Sequence, residues 1–251
     1  MKYMSLLKNY KAVVSYDGGR YRGYQSQTKE ENTIQGKLES VLSKMCGEKV
    51  DVAGSGRTDA GVHAKGQVIS FALKSTMHTT EMRDYCNHYL PEDIVILSVE
   101  EAAKRFHARL SAEEKIYSYH IVNGDIPPLF QRKYVTYIKE PLDLIAMEKM
   151  AKALSGTHDY QAFSSAKKSN KSTIKTVHIT VERKEDEIEM VFRGDGFLYH
   201  MVRILTGTIL EAGMGKRTLS GTDAIFTAKD RSKAGYLVPP EGLFLDKVIY
   251  D

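Results

Sequence analysis

Hydrophobic periodicity alternates between strand and helix spacing in a fixed order, and that order limits the fold more than any other feature of the chain. Residues 10–17 (YKAVVSYD) read as a strand, followed by a Gly- and polar-rich loop to Asn32. Thr33 is placed to cap a helix carrying Ile34, Leu38, Val41, Leu42 and Met45, which is close to helical spacing. A strand is expected near 49–53, then a glycine-rich segment over 54–66. Residues 67–73 (QVISFAL) alternate as a strand does, 79–89 read as a helix, and 94–99 (IVILSV) read as a buried strand. The order β-α-β-β-α-β is that of a ferredoxin-like unit. The second half repeats much of it: a strand at 115–122, a helix at 142–154 and a hairpin in which Val177, Ile179 and Val181, and after a turn around Lys184–Glu187 also Ile188, Met190 and Phe192, alternate with polar residues. A long apolar helix at 197–212, another at 218–229 and a last strand at 243–250 complete it. The expected class is α+β, with two ferredoxin-like halves whose antiparallel sheets are flanked by helices. Residues 1–105 and 106–251 form the halves, with the boundary near 102–114. Two such halves imply a cleft between them, a common place for a site.

With 42% hydrophobic residues in 251, the chain can build a real core, and 27% charge with aromatics throughout argues against disorder. The net charge of +4 fits a nucleic-acid partner without demanding one. Cys46 and Cys86 have neither metal-like nor CxxC spacing, so a reducing compartment is the simplest reading. The N-terminal residues lack a signal-peptide run, and no stretch approaches the ~20 apolar residues of a membrane span. A cytoplasmic protein without a membrane partner is expected. The eight histidines form no metal-ligand array, and no glycine-rich phosphate-binding loop is present. No metal and no cofactor are expected.

The sharpest segment is Gly54-Ser55-Gly56-Arg57-Thr58-Asp59-Ala60-Gly61-Val62-His63-Ala64, with three glycines around an Arg and an Asp. Taken alone, Asp59 in such a loop is better read as an Asx-type turn residue. The longer string decides otherwise. GRTDAGVHA has company in order: Tyr16-Asp17-Gly18, Gly23-Tyr24-Gln25, Thr33-Ile34-Gln35, Phe106-His107-Ala108-Arg109, Tyr117-Ser118-Tyr119, Gly156-Thr157-His158-Asp159-Tyr160, Gly196-Phe197-Leu198-Tyr199-His200-Met201-Val202-Arg203 and Gly242-Leu243-Phe244-Leu245. Together these motifs resemble the TruA-type tRNA pseudouridine synthases over essentially the full length.

That resemblance implies the pseudouridine synthase fold, with Asp59 as the catalytic carboxylate, Tyr117 stacking on the flipped uracil and Arg203 paired with Asp59. Arg57 would help to evict the target base. Gly61, His63, Phe197, Leu198 and His200 would line the substrate pocket. It further implies a homodimer acting on the anticodon arm of tRNA, at about positions 38 to 40, by base flipping.

The chemistry fits this set. Breaking the N1 glycosidic bond of uridine builds positive charge on the ribose, and a carboxylate beside C1′ can stabilise that charge, attack it or remove the C2′ proton. Uracil leaves as a delocalised anion, so the second carboxylic acid of ordinary glycosidases is less necessary. Such a carboxylate must stay charged against burial, and a nearby guanidinium does this. The neighbours of Arg203 (Leu198, Met201, Val202, Ile204 and Leu205) place it on a largely buried helix, where an unpaired Arg is costly. Without the resemblance, Tyr117 would read as ordinary sheet packing.

Phosphate contacts are expected from Arg20, Arg22, Lys65, Arg109, Lys167, Lys168 and Lys171. For the stretch 167–175 a solvated surface is an equal alternative. Asp17 and Asp159 are better read as turn or cap residues. The chain departs from the family pattern at Tyr24 for Trp, Lys115 for Arg, Tyr160 for Phe, and Leu237-Val238-Pro239 for Thr-Ala-Pro. Two rival classes stay open: a non-catalytic RNA binder on the same scaffold, and an N-glycosidase that releases free uracil.

Overall fold

The computed structural model describes residues 7–26, 32–166 and 172–251. The chain runs β1 (Leu7–Tyr16), α1 (Ile34–Cys46), β2 (Ala53–Gly54), β3 (His63–Lys74), α2 (Thr79–Tyr89), β4 (Ile94–Ala102), β5 (Glu114–Asn123), β6 (Thr136–Ile138), α3 (Leu144–Leu154), β7 (Gly156–Asp159), β8 (Ile174–Lys184), β9 (Glu187–Gly194), α4 (Met201–Gly213), α5 (Thr222–Ala228) and β10 (Leu243–Ile249), with short 3-10 turns between some of them. It is a mixed α+β protein, and it divides into two compact units: Met1–Ala112 with Leu245–Asp251, and Glu113–Phe244.

In the first unit β1 lies between β4 and β3, antiparallel to both. β1 buries Tyr10, Ala12, Val14 and Tyr16, the alternate residues of one face. α1 adds Ile34, Leu38 and Leu42, and α2 adds Met82 and Cys86. Thr33 caps α1, its hydroxyl accepting the Gly36 amide at 3.2 Å. The β1–β3 register slips between Val14 and Tyr16, so Tyr16 stands opposite Ala64. Such an irregularity re-aims a side chain at the end of a strand, and here it turns the Tyr16 hydroxyl toward the 54–62 loop. The final residues of the chain pack with this unit: Lys65 pairs with Asp246 at 2.9 Å, and Tyr250 donates to the Ala108 carbonyl at 2.6 Å.

In the second unit the strands run β5-β9-β8-β7, all antiparallel, and β6 adds a short parallel pairing to β5. Tyr119, Ile121, Ile188, Met190 and Phe192 form the buried layer, with Met147, Met150 and Leu154 of α3 against it. α4 is buried on nearly every side. Its internal hydroxyls are satisfied along the helix, Thr206 donating to Val202 and Thr208 to Ile204.

Several elements differ from the sequence expectation. β3 begins at His63 rather than 67. The strand expected near 49–53 pairs only at Ala53–Gly54, against Ser70 and Ile69. The helix expected from 197 starts at Met201, because His200 takes a left-handed conformation (φ 66°) that cannot continue a helix. The helix expected over 218–229 is α5, preceded by a 3-10 turn at Leu219–Gly221. Residues 245–251, expected in the second half, belong by their contacts to the first unit.

Candidate active site

The GRTDAGVHA string occupies the link between β2 and β3, and the neighbouring chain fixes it from several directions. Asp59 opens a turn in which the Val62 amide donates to the Asp59 carbonyl at 3.2 Å. Gly61 sits third in that turn with φ 81°, a conformation that strains any residue with a Cβ. The Thr58 carbonyl accepts the Tyr24 amide at 3.0 Å, and the Thr58 hydroxyl shares a hydrogen bond with Tyr16 at 2.8 Å. Gly18 passes so close that a Cβ on it would lie 1.9 Å from the Val62 carbonyl oxygen. Asp59 is half-buried, while Arg57 is exposed.

His63 is buried at the head of β3. The Gly18 amide donates to its Nδ1 at 3.1 Å, and Asp17 lies 3.1 Å from the same nitrogen. Asp17 accepts from the Gly19 amide at 2.9 Å, an Asx turn as expected. Asp159 likewise caps the 3-10 turn at Tyr160–Phe163 and pairs with Lys229 at 2.6 Å.

In the second unit Tyr117 and Tyr119 lie two residues apart on β5, and both are buried. Tyr117 meets Phe197 edge-on, with centroids 5.1 Å apart at 81°. Leu198 and His200 belong to the turn that enters α4, and Tyr199 stacks on the His200 ring. Arg203 lies one turn into α4, only 9% exposed, and its Nε donates to the Val238 carbonyl at 2.8 Å. The Tyr119 hydroxyl donates to the adjacent Pro239 carbonyl at 2.8 Å. The segment that departs from the family pattern at 237–239 therefore anchors both side chains through its backbone.

The expected RNA contacts fare unevenly. Arg20 pairs with Asp93, which also accepts from Tyr21 at 2.5 Å, and Lys65 pairs with Asp246, so both cations already have carboxylate partners. Arg22 and Arg109 are exposed. Lys167, Lys168 and Lys171 lie outside the described residues. Among the described residues no group of His, Cys, Asp and Glu gathers as a metal site, and no helix is long and apolar enough to cross a membrane.

Two residues at this loop escaped the sequence reading: Gln67 and the hydroxyl of Tyr16. A signal was there. In the alternating run QVISFAL, Gln67 heads the same face as Ile69, Phe71 and Leu73, and a carboxamide leading an apolar stripe is a buried polar group that needs partners.

A family model described as tRNA pseudouridine synthase matches residues 12–110 and 150–251, a span that holds Asp59 and Arg203 but leaves out Tyr117. The tRNA pseudouridine synthase A of Bacillus sp. (strain KSM-64) is 43% identical over 245 residues, covering 97% of this chain and 100% of that one. The protein of the same name from Clostridium kluyveri is also 43% identical, with the same coverage. A tRNA pseudouridine synthase A 2 from Bacillus anthracis is 39% identical over 243 residues, or 96% of this chain and 99% of that one. With the α+β fold and the fixed carboxylate loop, these matches define an RNA-modifying isomerase. The chain belongs to the tRNA pseudouridine synthase family.

Proposed function

We propose that the protein converts uridine to pseudouridine in the anticodon stem-loop of tRNA, with Asp59 as the catalytic carboxylate. The observation that carries this reading is the local fixing of the Asp59 turn, by Gly61, by the Tyr24 amide and by the Tyr16 hydroxyl. Catalysis by a single carboxylate depends on holding that group where charge develops, and rigid backbone anchoring serves this purpose.

In the proposed reaction the target nucleotide is flipped out of its stem. The N1–C1′ bond breaks with its electron pair going to N1, Asp59 stabilises the positive ribose, the uracil turns, C5 joins C1′, and as the C5 proton leaves N1 takes one up, so the product is an isomer of the substrate. Arg203 is assigned as the cation that balances Asp59, and its burial on α4 supports a fixed charge rather than a surface one. Tyr117 is assigned to the uracil face, which its edge contact with Phe197 supports by holding the ring in place. Arg57, exposed and two residues from Asp59, is assigned to the space the base vacates. Gly61, His63, Leu198 and His200 are assigned to the surrounding pocket. A ferredoxin-like reading of the two units is supported in the first by its β-α-β-β-α-β order and antiparallel pairing. Cytoplasmic location and a homodimer complete the proposal.

The deciding experiment compares wild-type protein with Asp59→Ala on transcribed tRNA, mapping pseudouridine and weighing the RNA. Wild-type protein is expected to form pseudouridine with no change in RNA mass, and the variant to form none while still binding tRNA. Pseudouridine made by the variant would refute the role of Asp59. Free uracil with an abasic product would make the protein a glycosidase, and binding without modification would make it a binder.

A further inference from the structure

Two strands send buried polar side chains into the underside of the catalytic loop. Gln67 on β3 is fully buried. Its Nε2 donates to the Gly56 carbonyl at 2.9 Å and its Oε1 accepts from the Ser55 hydroxyl at 2.7 Å. The Gly56 carbonyl can only accept, so the amide nitrogen must face it, and the orientation of the carboxamide is fixed by chemistry. The same nitrogen lies 3.4 Å from the Tyr16 hydroxyl, which in turn bonds Thr58 at 2.8 Å. Tyr16 is 4% exposed, and burial pushes its phenol up to about 12, so it remains a neutral hydroxyl at any working pH. Ser55, Gly56 and Thr58 are thus gripped through side chains that reach from β1 and β3, and Asp59 follows directly after the last of them.

We infer that Tyr16 is a positioning residue for the isomerisation, acting through Thr58 to fix the Asp59 carboxylate, while Gln67 holds the adjoining Ser55 and Gly56. The inference rests on the assignment of Asp59 above. An apolar filling of the same space could be equally stable, because a buried hydrogen bond contributes little net stability. What it could not do is set where the loop backbone lies, since hydrogen bonds are directional and apolar contacts are not. A displacement near 1 Å is enough to cost about 100-fold in rate.

The test uses Tyr16→Phe, Thr58→Val and the double variant, each measured for kcat and KM on transcribed tRNA and for melting temperature. Wild-type protein and Asp59→Ala run alongside. Each single variant is expected to lower kcat by about tenfold or more, with KM within a factor of about two. The double variant should be no worse than the poorer single one, because both remove the same hydrogen bond. Thr58→Ser, which keeps the hydroxyl, should restore most of kcat. Unchanged kcat in the single variants, additive losses, or losses that vanish on cooling below the variants' melting range would overturn the inference. Wild-type protein that forms no pseudouridine, or an active Asp59→Ala, would overturn the functional reading and the inference with it. A dead Asp59→Ala beside a fully active Tyr16→Phe would overturn the inference alone.

Discussion

Tyr24 is only 3% exposed, and its hydroxyl has no hydrogen-bond partner among the described residues. Its ring lies over Gly54, where a Cβ would come within 2.5 Å of it. Burial raises the phenol well above its ordinary range, so the group is held neutral and unsatisfied. A buried donor without a partner costs roughly 1–3 kcal/mol. Tyr24→Phe is therefore expected to raise the melting temperature by about 2–4 °C for each kcal/mol relieved, read by calorimetry, and a fall would show that the hydroxyl is bonded. Asp159 presents the opposite case. Partial burial acts to raise its pKa, but the Lys229 ammonium, the Thr173 hydroxyl and the Gln161 amide together lower it. A depressed carboxylate stabilises the fold above its unfolded value and loses that contribution as the pH falls through the folded one. Asp159→Asn should thus lower the melting temperature at pH 7 and make progressively less difference as the pH drops below about 4.

At the scale of elements, caps and registers decide where the regular structure stops. The Thr33 hydroxyl caps α1, and Thr33→Ala should destabilise the protein by about 1 kcal/mol, measured by denaturant titration with an unchanged slope. That helix was legible because its apolar spacing and its cap agree, and α2 spans the expected residues, Thr79–Tyr89. β7 was not foreseen: Gly156-Thr157-His158-Asp159 has little strand propensity, and it forms only because β8 offers a register from Val177 to Ile174. α4 starts later than its apolar pattern suggests, because Phe197 and Leu198 continue that pattern while the left-handed backbone at His200 leaves no trace in hydrophobicity. In the loop, Asp59 stood out through its motif. The grip of Gln67 and Tyr16 on it depends on a strand register and an irregularity at Ser15, which pairwise geometry sets and local sequence does not reveal.

For the molecule as a whole, charge and phenol burial set the response to solvent. A tRNA partner implies that the logarithm of the affinity falls linearly with the logarithm of salt concentration. Because Arg20 and Lys65 already neutralise Asp93 and Asp246, replacing either by Ala should change that slope less than replacing Arg57, as filter binding at several salt concentrations would show. Buried tyrosines make the fold sensitive to alkali. Tyr16 is pushed up to about 12 by burial, and burial also raises Tyr119, Tyr160 and Tyr250. A raised phenol stabilises the fold fully below its unfolded value near 10 and ceases to as the pH climbs through the folded value. Tyr16 alone accounts for about 3 kcal/mol over that window, so melting temperature should drop steeply between pH 10 and about 12, and less steeply in Tyr16→Phe.

The unit that holds Asp59 draws residues 245–251 into its own packing, through Lys65 with Asp246 and Tyr250 with Ala108. On the ribosome those partners emerge long after Ala112, when all of the intervening unit has been synthesised. The carboxylate-bearing half is begun first and finished last, and a nascent chain cannot complete it before translation has passed residue 245.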